Sequence, residues 1–317
     1  MQKRKPILIT GSHRSGSTWV GKIISESSSV AYIHEPFNLG NSLSIGISKA
    51  KFDYWFTYIC SKNELDFYHE IKNIINFNYI LLAELKRVRQ LKQFKRIVKE
   101  YFKNLQYKYY KMRPLIKDPI ALLSAEWLQS KFNMDTVVLI RHPAAFVNSI
   151  KRWNWSFPFE HFLEQPLLMR DYGYHFENEI KDHVKQKYDI IEQAILLWEI
   201  LHFRILQYQQ RYINNPNWIF IRHEDISREP LSGFQRIFDF LNLELTGTIK
   251  NSIEKSSSYN NPTEGKTVHS LKRNSQANIK RWKNQLTPEE IHKIRERVEE
   301  IFSFFYLNVT RRPPLYR

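Results

Sequence analysis

Apolar residues fall in short unbroken runs at 7–10, 30–33, 115–117, 136–140 and 218–221, several of them rich in Val and Ile. Runs this short, without polar alternation, suit strands buried on both faces, as in a parallel sheet. The stretches between them carry helical spacing. Together they predict an α/β fold in three layers, with a central parallel sheet of about five strands flanked by helices. No internal repeat and no long Gly/Ser- or Pro-rich linker divides the chain, so residues 1–317 read as a single domain carrying helical insertions.

Two insertions and one loop depart from this rhythm. In the first insertion, about 41–113, Leu81, Leu85, Val88, Leu91, Val98, Phe102 and Leu105 recur at helical spacing. The opposite face carries Lys86, Arg87, Arg89, Lys92, Lys95, Arg96, Lys99, Lys103 and Lys108. Such a helix suits an anionic membrane surface, an acidic substrate, or simply a solvated face over a packed one. The second insertion, about 155–183, is rich in Trp, Phe, Tyr and His and suits a substrate wall or core packing. A polar segment, about 256–278, reads as a mobile loop. It is followed by Thr287-Pro288-Glu289-Glu290, which marks a helix start with Thr287 as N-cap.

Composition narrows the chemistry. Of 317 residues, 42% are hydrophobic and 25% charged, which fits a folded globular chain. Lys and Arg number 48 against 32 Asp and Glu, a net charge of +16, so an anionic partner or substrate is expected. The single cysteine, Cys60, excludes a disulfide framework and any cysteine-based metal cluster. The apolar runs are far shorter than the roughly 20 residues of a spanning helix. The run after the basic start reads as a buried strand and not a signal peptide. The expected location is therefore cytoplasmic, with peripheral contact at the inner membrane surface left open by the basic helix.

The sharpest chemical feature follows the first strand: Gly11-Ser12-His13-Arg14-Ser15-Gly16-Ser17-Thr18-Trp19. A strand, a glycine-bearing turn and a helix start form a phosphate cradle, because backbone N–H groups and the positive helix end both face the anion. The glycine spacing is P-loop-like, but Ser17 stands where a nucleoside-triphosphate enzyme carries Lys. The strand at 136–140 ends in Arg141-His142-Pro143, a cation where such enzymes place a magnesium-holding Asp. No metal is expected, and His223-Glu224-Asp225 has poor ligand spacing.

These residues resemble those of sulfotransferases that use 3′-phosphoadenosine-5′-phosphosulfate (PAPS), releasing adenosine 3′,5′-bisphosphate (PAP). Arg14-Ser15-Gly16-Ser17-Thr18-Trp19 is similar to their phosphosulfate loop, and the stretch from Val137 through Arg141 to Ser149 is similar to their 3′-phosphate motif. The resemblance implies that Arg141 and Ser149 bind the ribose 3′-phosphate. It also implies that the Ser15–Thr18 amides and the Ser17 and Thr18 hydroxyls hold the 5′-phosphate, and that Trp19 stacks on adenine. Ile221-Arg222-His223-Glu224-Asp225-Ile226 resembles the family's R-Y-E-D-L segment, with His223 replacing Tyr beside the nucleotide. Lys280-Arg281-Trp282-Lys283 resembles its late W-[RK] segment, placing Arg281 and Trp282 near the nucleotide. Arg14 in place of the Lys of the cytosolic aryl and steroid enzymes, together with His34-Glu35-Pro36-Phe37, is closest to the carbohydrate 6-O and bacterial branches.

Sulfuryl transfer needs cations where charge accumulates and a base for the acceptor hydroxyl. Arg14 is expected beside the leaving oxygen. Glu35, ending the second strand, is the candidate base, with Pro36 biasing it to an extended backbone. Alternation along the strand turns the neighbouring His34 away. Lys117 ends the third strand and is expected to bind a sulfonate oxygen or an acidic acceptor, with Asp118 as second-choice base. The expected reaction is transfer from PAPS to a hydroxyl, foremost of a sugar in an anionic or membrane-associated glycan or glycolipid. Tyrosyl and small-molecule or lipid hydroxyls are the alternatives. More remote are a P-loop kinase and a non-catalytic basic module binding nucleic acid or membrane; nucleic acid is not the expected partner.

Overall fold

The computed structural model describes residues 5–40, 52–86, 88, 90–263 and 271–307. The five expected strands are all present, as β1 (Ile7–Gly11), β2 (Val30–His34), β3 (Arg113–Lys117), β4 (Asp135–Ile140) and β5 (Trp218–Arg222). They form one parallel sheet in the order β2-β3-β1-β4-β5. Ile7 pairs with Leu115 on one side and Asp135 on the other, so β1 lies at the centre. Parallel neighbours cannot be joined by tight turns, and each connection here crosses over through helix.

The helices are α1 (Ser17–Ile24), α2 (Leu65–Ile75), α3 (Leu81–Leu85), α4 (Leu91–Tyr109), α5 (Ala125–Phe132), α6 (Pro143–Trp153), α7 (Glu160–Leu163), α8 (Pro166–Asp171), α9 (Glu177–Lys185), α10 (Ile190–Tyr212), α11 (His223–Arg228), α12 (Pro230–Phe240), α13 (Gly247–Ser257), α14 (Ser275–Ile279) and α15 (Pro288–Tyr306). Alternation along the strands feeds two cores. Ile7, Ile9, Leu115, Val137 and Leu139 face one side with α1, α12 and α13. Leu8, Ile116, Val138 and Ile140 face the other, against α6, α10 and α15. That division produces the three layers.

Helix starts follow local chemistry. Thr287 caps α15, its hydroxyl accepting from the Glu290 amide at 3.2 Å, with Pro288 in the first turn. Asp189 caps α10 by accepting from the amides of Ile191 and Glu192, both at 2.8 Å.

The first insertion differs from its expected form. The helical pattern from Leu81 to Leu105 breaks into α3 and α4, and Gln90 opens α4 with an extended backbone and a reciprocal capping box with Gln93. Residues 41–51, Arg87 and Arg89 lie outside the described residues. The second insertion is helical through α7, α8 and α9. The segment at 256–278 holds the end of α13 and most of α14; its stretch 264–270 lies outside the described residues. Among the described residues no helix is long and apolar enough to cross a membrane.

Candidate active site

The carboxyl ends of the parallel strands share one edge of the sheet, where ligands bind in open α/β folds. Here that edge carries the loop after β1, Glu35 after β2, Lys117 ending β3, Arg141 after β4 and His223 after β5. A cavity of about 570 Å3 opens among them. Described lining residues include His13, Arg14, Gly16, Ser17, Thr18, Trp19, Glu35, Arg141 and His223.

The loop's shape rests on backbone positions with positive φ: Gly11 at 137°, Arg14 at 67° and Gly16 at 88°. A side chain on Gly11 would meet the Leu139 carbonyl oxygen at 2.2 Å, so glycine there lets β1 and β4 stay together as the chain leaves the sheet. A side chain on Gly16 would strike His223 Nδ1 at 2.4 Å. Gly16 also supplies no capping side chain to α1, and first-turn amides have no intrahelical acceptor, so these donors remain available to an anion.

Arginines gather around this loop. Arg14 Nε donates to Ser149 Oγ at 2.9 Å, joining the two sequence motifs. Arg141 donates to the Arg14 carbonyl oxygen at 3.1 Å, and its Nε lies 3.6 Å from Glu224 Oε1. Burial, then the neighbouring guanidiniums of Arg273, Arg141 and Arg152, push Arg14 down to about 10. Arg141 and Arg273 are lowered as well, chiefly by burial. Confined like charges of this kind are relieved by a bound polyanion. The buried Ser12 and Ser15 hydroxyls have no protein partner, but neither residue lines the cavity.

Across the cavity, Glu35 is held at both oxygens. Lys117 donates to Oε1, and Asn38 Nδ2 donates to Oε2 at 2.6 Å. Burial would raise this carboxyl, but the Lys117 ammonium and the hydrogen bonds from Lys117 and Asn38 outweigh it and hold it below the usual range. Glu35 is therefore ionised at neutral pH. Its backbone corrects the expectation of an extended residue, because φ is 41°. The Glu35 amide still donates to the Lys117 carbonyl at 2.9 Å, and the chain then turns at once, with Asn38 N donating to Glu35 O at 3.2 Å. The turn overrides the bias from Pro36.

Other expected residues take different places. Lys117 is fully buried and does not line the cavity, touching Glu35 instead. Asp118, the second-choice base, is buried and accepts from the amides of Phe37 at 2.7 Å and Ile120 at 3.0 Å, while burial and nearby Glu35 push it up to about 7. That carboxyl pins the turn after β2 and does not line the cavity. His34 stacks beside Tyr32 and stays out of the lining. Trp19 lines the cavity, donates to Ser256 Oγ at 2.9 Å and packs edge-on to Phe234.

Ser15 and Ser149 lie behind the lining. His223 supports the loop beneath Gly16, with Ser227 Oγ 3.2 Å from its Nε2. Glu224 accepts from the His142 amide, and Asp225 pairs with Arg222 at 2.7 Å, so the His-Glu-Asp triplet splits three ways. Arg281 and Trp282 do not line the cavity. Trp282 stacks on His142 with centroids 5.0 Å apart.

Three features escaped the sequence reading. Arg273, entering from the polar segment before α14, lines the cavity; its only signal was a basic residue in a loop. His13 lines it too, and burial, then Arg14, lowers its imidazole to about 3, leaving it neutral. Trp55 and Phe56 also escaped it; they join Trp155 and Phe157, from the insertion expected to suit a substrate wall, in an aromatic wall, with the Arg14 guanidinium 5.3 Å from the Trp155 ring centroid.

A search of curated proteins found no match. Among solved structures, the sulfotransferase domain from the curacin biosynthetic pathway shares 16% identity, with 94% of this chain and 99% of that one covered and a TM-score of 0.51. The sulfotransferase domain from the Synechococcus PCC 7002 olefin synthase follows at 16% identity, 96% of both chains and a TM-score of 0.47. Mouse sulfotransferase SULT7A1 complexed with PAP gives 13% identity, 97% and 85% coverage and a TM-score of 0.46. The family profile of the sulfotransferase domain matches residues 4–305, nearly the whole chain, and so takes in the loop, the arginines and Glu35 together. By that match the chain belongs to the sulfotransferase family.

Proposed function

We propose that this sulfotransferase moves a sulfuryl group from PAPS to a neutral hydroxyl acceptor, foremost a sugar of a glycan or glycolipid. One observation carries the reading: an arginine-lined phosphate cradle faces a carboxylate, Glu35, that its neighbours keep ionised. PAPS would supply an activated sulfuryl group at the cradle. Around it, the loop amides and the Ser17 and Thr18 hydroxyls bind phosphate oxygens. Arg141 and Arg273 neutralise further negative charge, and Arg14 sits where charge grows on the leaving oxygen. Glu35 takes the proton of the attacking hydroxyl. Lys117 acts through Glu35, fixing its orientation and its charge, and so is a positioning residue.

The acceptor reading rests on how the lining divides. Its cationic residues, among those described, are Arg14, Arg141 and Arg273, gathered around the loop after β1, with Arg14 also lying over the Trp155 ring. The other end is aromatic, with Trp55, Phe56, Trp155 and Phe157. The apolar face of a sugar ring or another lipophilic alcohol would find a surface to pack on there. On this lining a neutral acceptor is favoured over the anionic or membrane-associated glycan expected from the sequence.

A calorimetric titration with PAP, set against ATP with magnesium, tests the donor. Micromolar or tighter, metal-independent PAP binding is the expected result. Binding of ATP–magnesium without PAP would overturn the reading in favour of a kinase. An acceptor screen of neutral against sulfated or carboxylated sugars then tests the second half, and preference for the charged set would refute it.

A further inference from the structure

The catalytic reading leaves α4 unused, although this helix carries the most unusual surface of the molecule. Leu91, Phe94, Val98, Phe102, Leu105 and Tyr109 follow one another at helical spacing and form one stripe. A stripe of this kind normally faces the core. Here Ile97 and Asn104 are the buried residues of α4, and the stripe points outward: Leu91 is 83% exposed, Phe102 62% and Tyr109 80%. The protein-facing side is a neighbouring one, where Tyr101 meets Tyr79 and Tyr107 meets Phe77. Leu82, on the adjacent α3, is 75% exposed as well.

The flank of the stripe away from the core is basic. Lys92, Lys95, Arg96 and Lys99 all stand in solvent, and Lys103 continues the row. Glu100 is the single acidic residue of the helix, and it is partnered with Lys103 at 3.6 Å. We propose that α4 is an interfacial anchor, laying its Leu91–Tyr109 stripe into the headgroup region of an anionic phospholipid bilayer while the lysine row meets lipid phosphates.

The charge pattern chooses this occupant. A second copy of the chain would bring two basic rows together with almost no acid to pair them. Single-stranded nucleic acid would meet the lysines but leave Leu91 and Leu105 without an apolar partner. A bilayer surface satisfies both sides of the helix at once, which is the arrangement of helices that lie in the interface plane. A helix of this length spans about 28 Å, enough to place several anchors in one surface. The inference does not depend on which alcohol accepts sulfate.

The test is co-sedimentation of the full chain with vesicles of phosphatidylcholine alone and with about a third phosphatidylglycerol. Binding to the anionic vesicles, weakened by salt and nearly absent with phosphatidylcholine, is expected. The double variant Phe94→Ala/Phe102→Ala should lower partitioning by about tenfold or more. Replacing Lys92, Lys95, Arg96 and Lys99 with Gln should lower it by about a hundredfold. Both variants should keep the PAP affinity of the parent, which shows that they fold. Parent protein that binds PAP but no vesicle would overturn the anchor. So would undiminished vesicle binding by both variants, dimerisation in solution through the stripe, or nucleic-acid binding lost in the same variants while vesicles are ignored.

Discussion

At the proposed donor end of the cavity the groups come from strand ends and the start of one helix: the loop after β1, Arg141 after β4 and the first-turn amides of α1. At the proposed acceptor end they come from irregular segments, 55–56 and 155–158, that reach the cavity from separate parts of the chain. The first end is charged and geometrically tied, with Arg14 bound to Ser149 and Arg141 bound to the Arg14 carbonyl. The second is aromatic and makes few hydrogen bonds. Charge recognition needs donors fixed to a fraction of an ångström, and strand ends anchored in a buried sheet supply that. Apolar recognition needs only matched surface, and loops suffice for it.

If this division is right, damage should differ in kind as well as size. The largest loss should come where the two ends meet. Glu35→Gln keeps the shape but not the base, so kcat should fall by about 10²–10⁴-fold with PAP affinity near normal. A collapse of PAP affinity would instead assign Glu35 to the donor end. Arg14→Ala should cost about 10²–10³-fold in kcat through the lost charge stabilisation, and near-parental turnover would remove its role. Arg141→Ala should weaken PAP by roughly 10–100-fold while sparing adenosine 5′-phosphosulfate, which lacks the 3′-phosphate. The thermal midpoint must be followed alongside, since Glu224 loses a partner; equal loss for both nucleotides would break the assignment.

Smaller effects should appear at the aromatic end. Trp155→Ala should raise the acceptor KM by about 3–10-fold and change PAP binding less, since its ring also backs the Arg14 guanidinium. An effect on PAP alone would merge the two ends into one. Lys117→Met offers the finest measurement, a pH profile. In the parent, Glu35 is ionised down to below its ordinary range, so kcat/KM should keep its acid limb below about pH 4.5. The stability contributed by the Glu35–Lys117 pair is present above that pH and is lost as pH falls through the lowered carboxyl value. Without Lys117, burial is opposed mainly by the Asn38 hydrogen bond, and the acid limb should move upward. An unmoved limb would show that Lys117 does not set the charge of Glu35.

What could be read in advance follows the same division. Buried parallel strands are continuous apolar runs, so all five were visible as such, and the cradle is a local turn whose glycines and helix start are adjacent in sequence. Glu35, Lys117 and Arg141 were legible because each directly ends or follows a strand, and parallel strands bring those ends to one edge. Only the tertiary structure decided the rest. The left-handed turn at Glu35 arises because its amide stays paired with Lys117 while the chain bends toward Asn38, a contact between strands that no local rule contains. Lys117 became a partner of Glu35, outside the cavity lining, because packing in the sheet buried it completely. Trp282 went to His142, and the wall of Trp55, Phe56, Trp155 and Phe157 was assembled across about a hundred residues of chain. The apolar stripe of α4 was plain from its period, but its outward direction was not. Periodicity states that a helix has an apolar face, and only the packing of neighbours determines whether that face is covered.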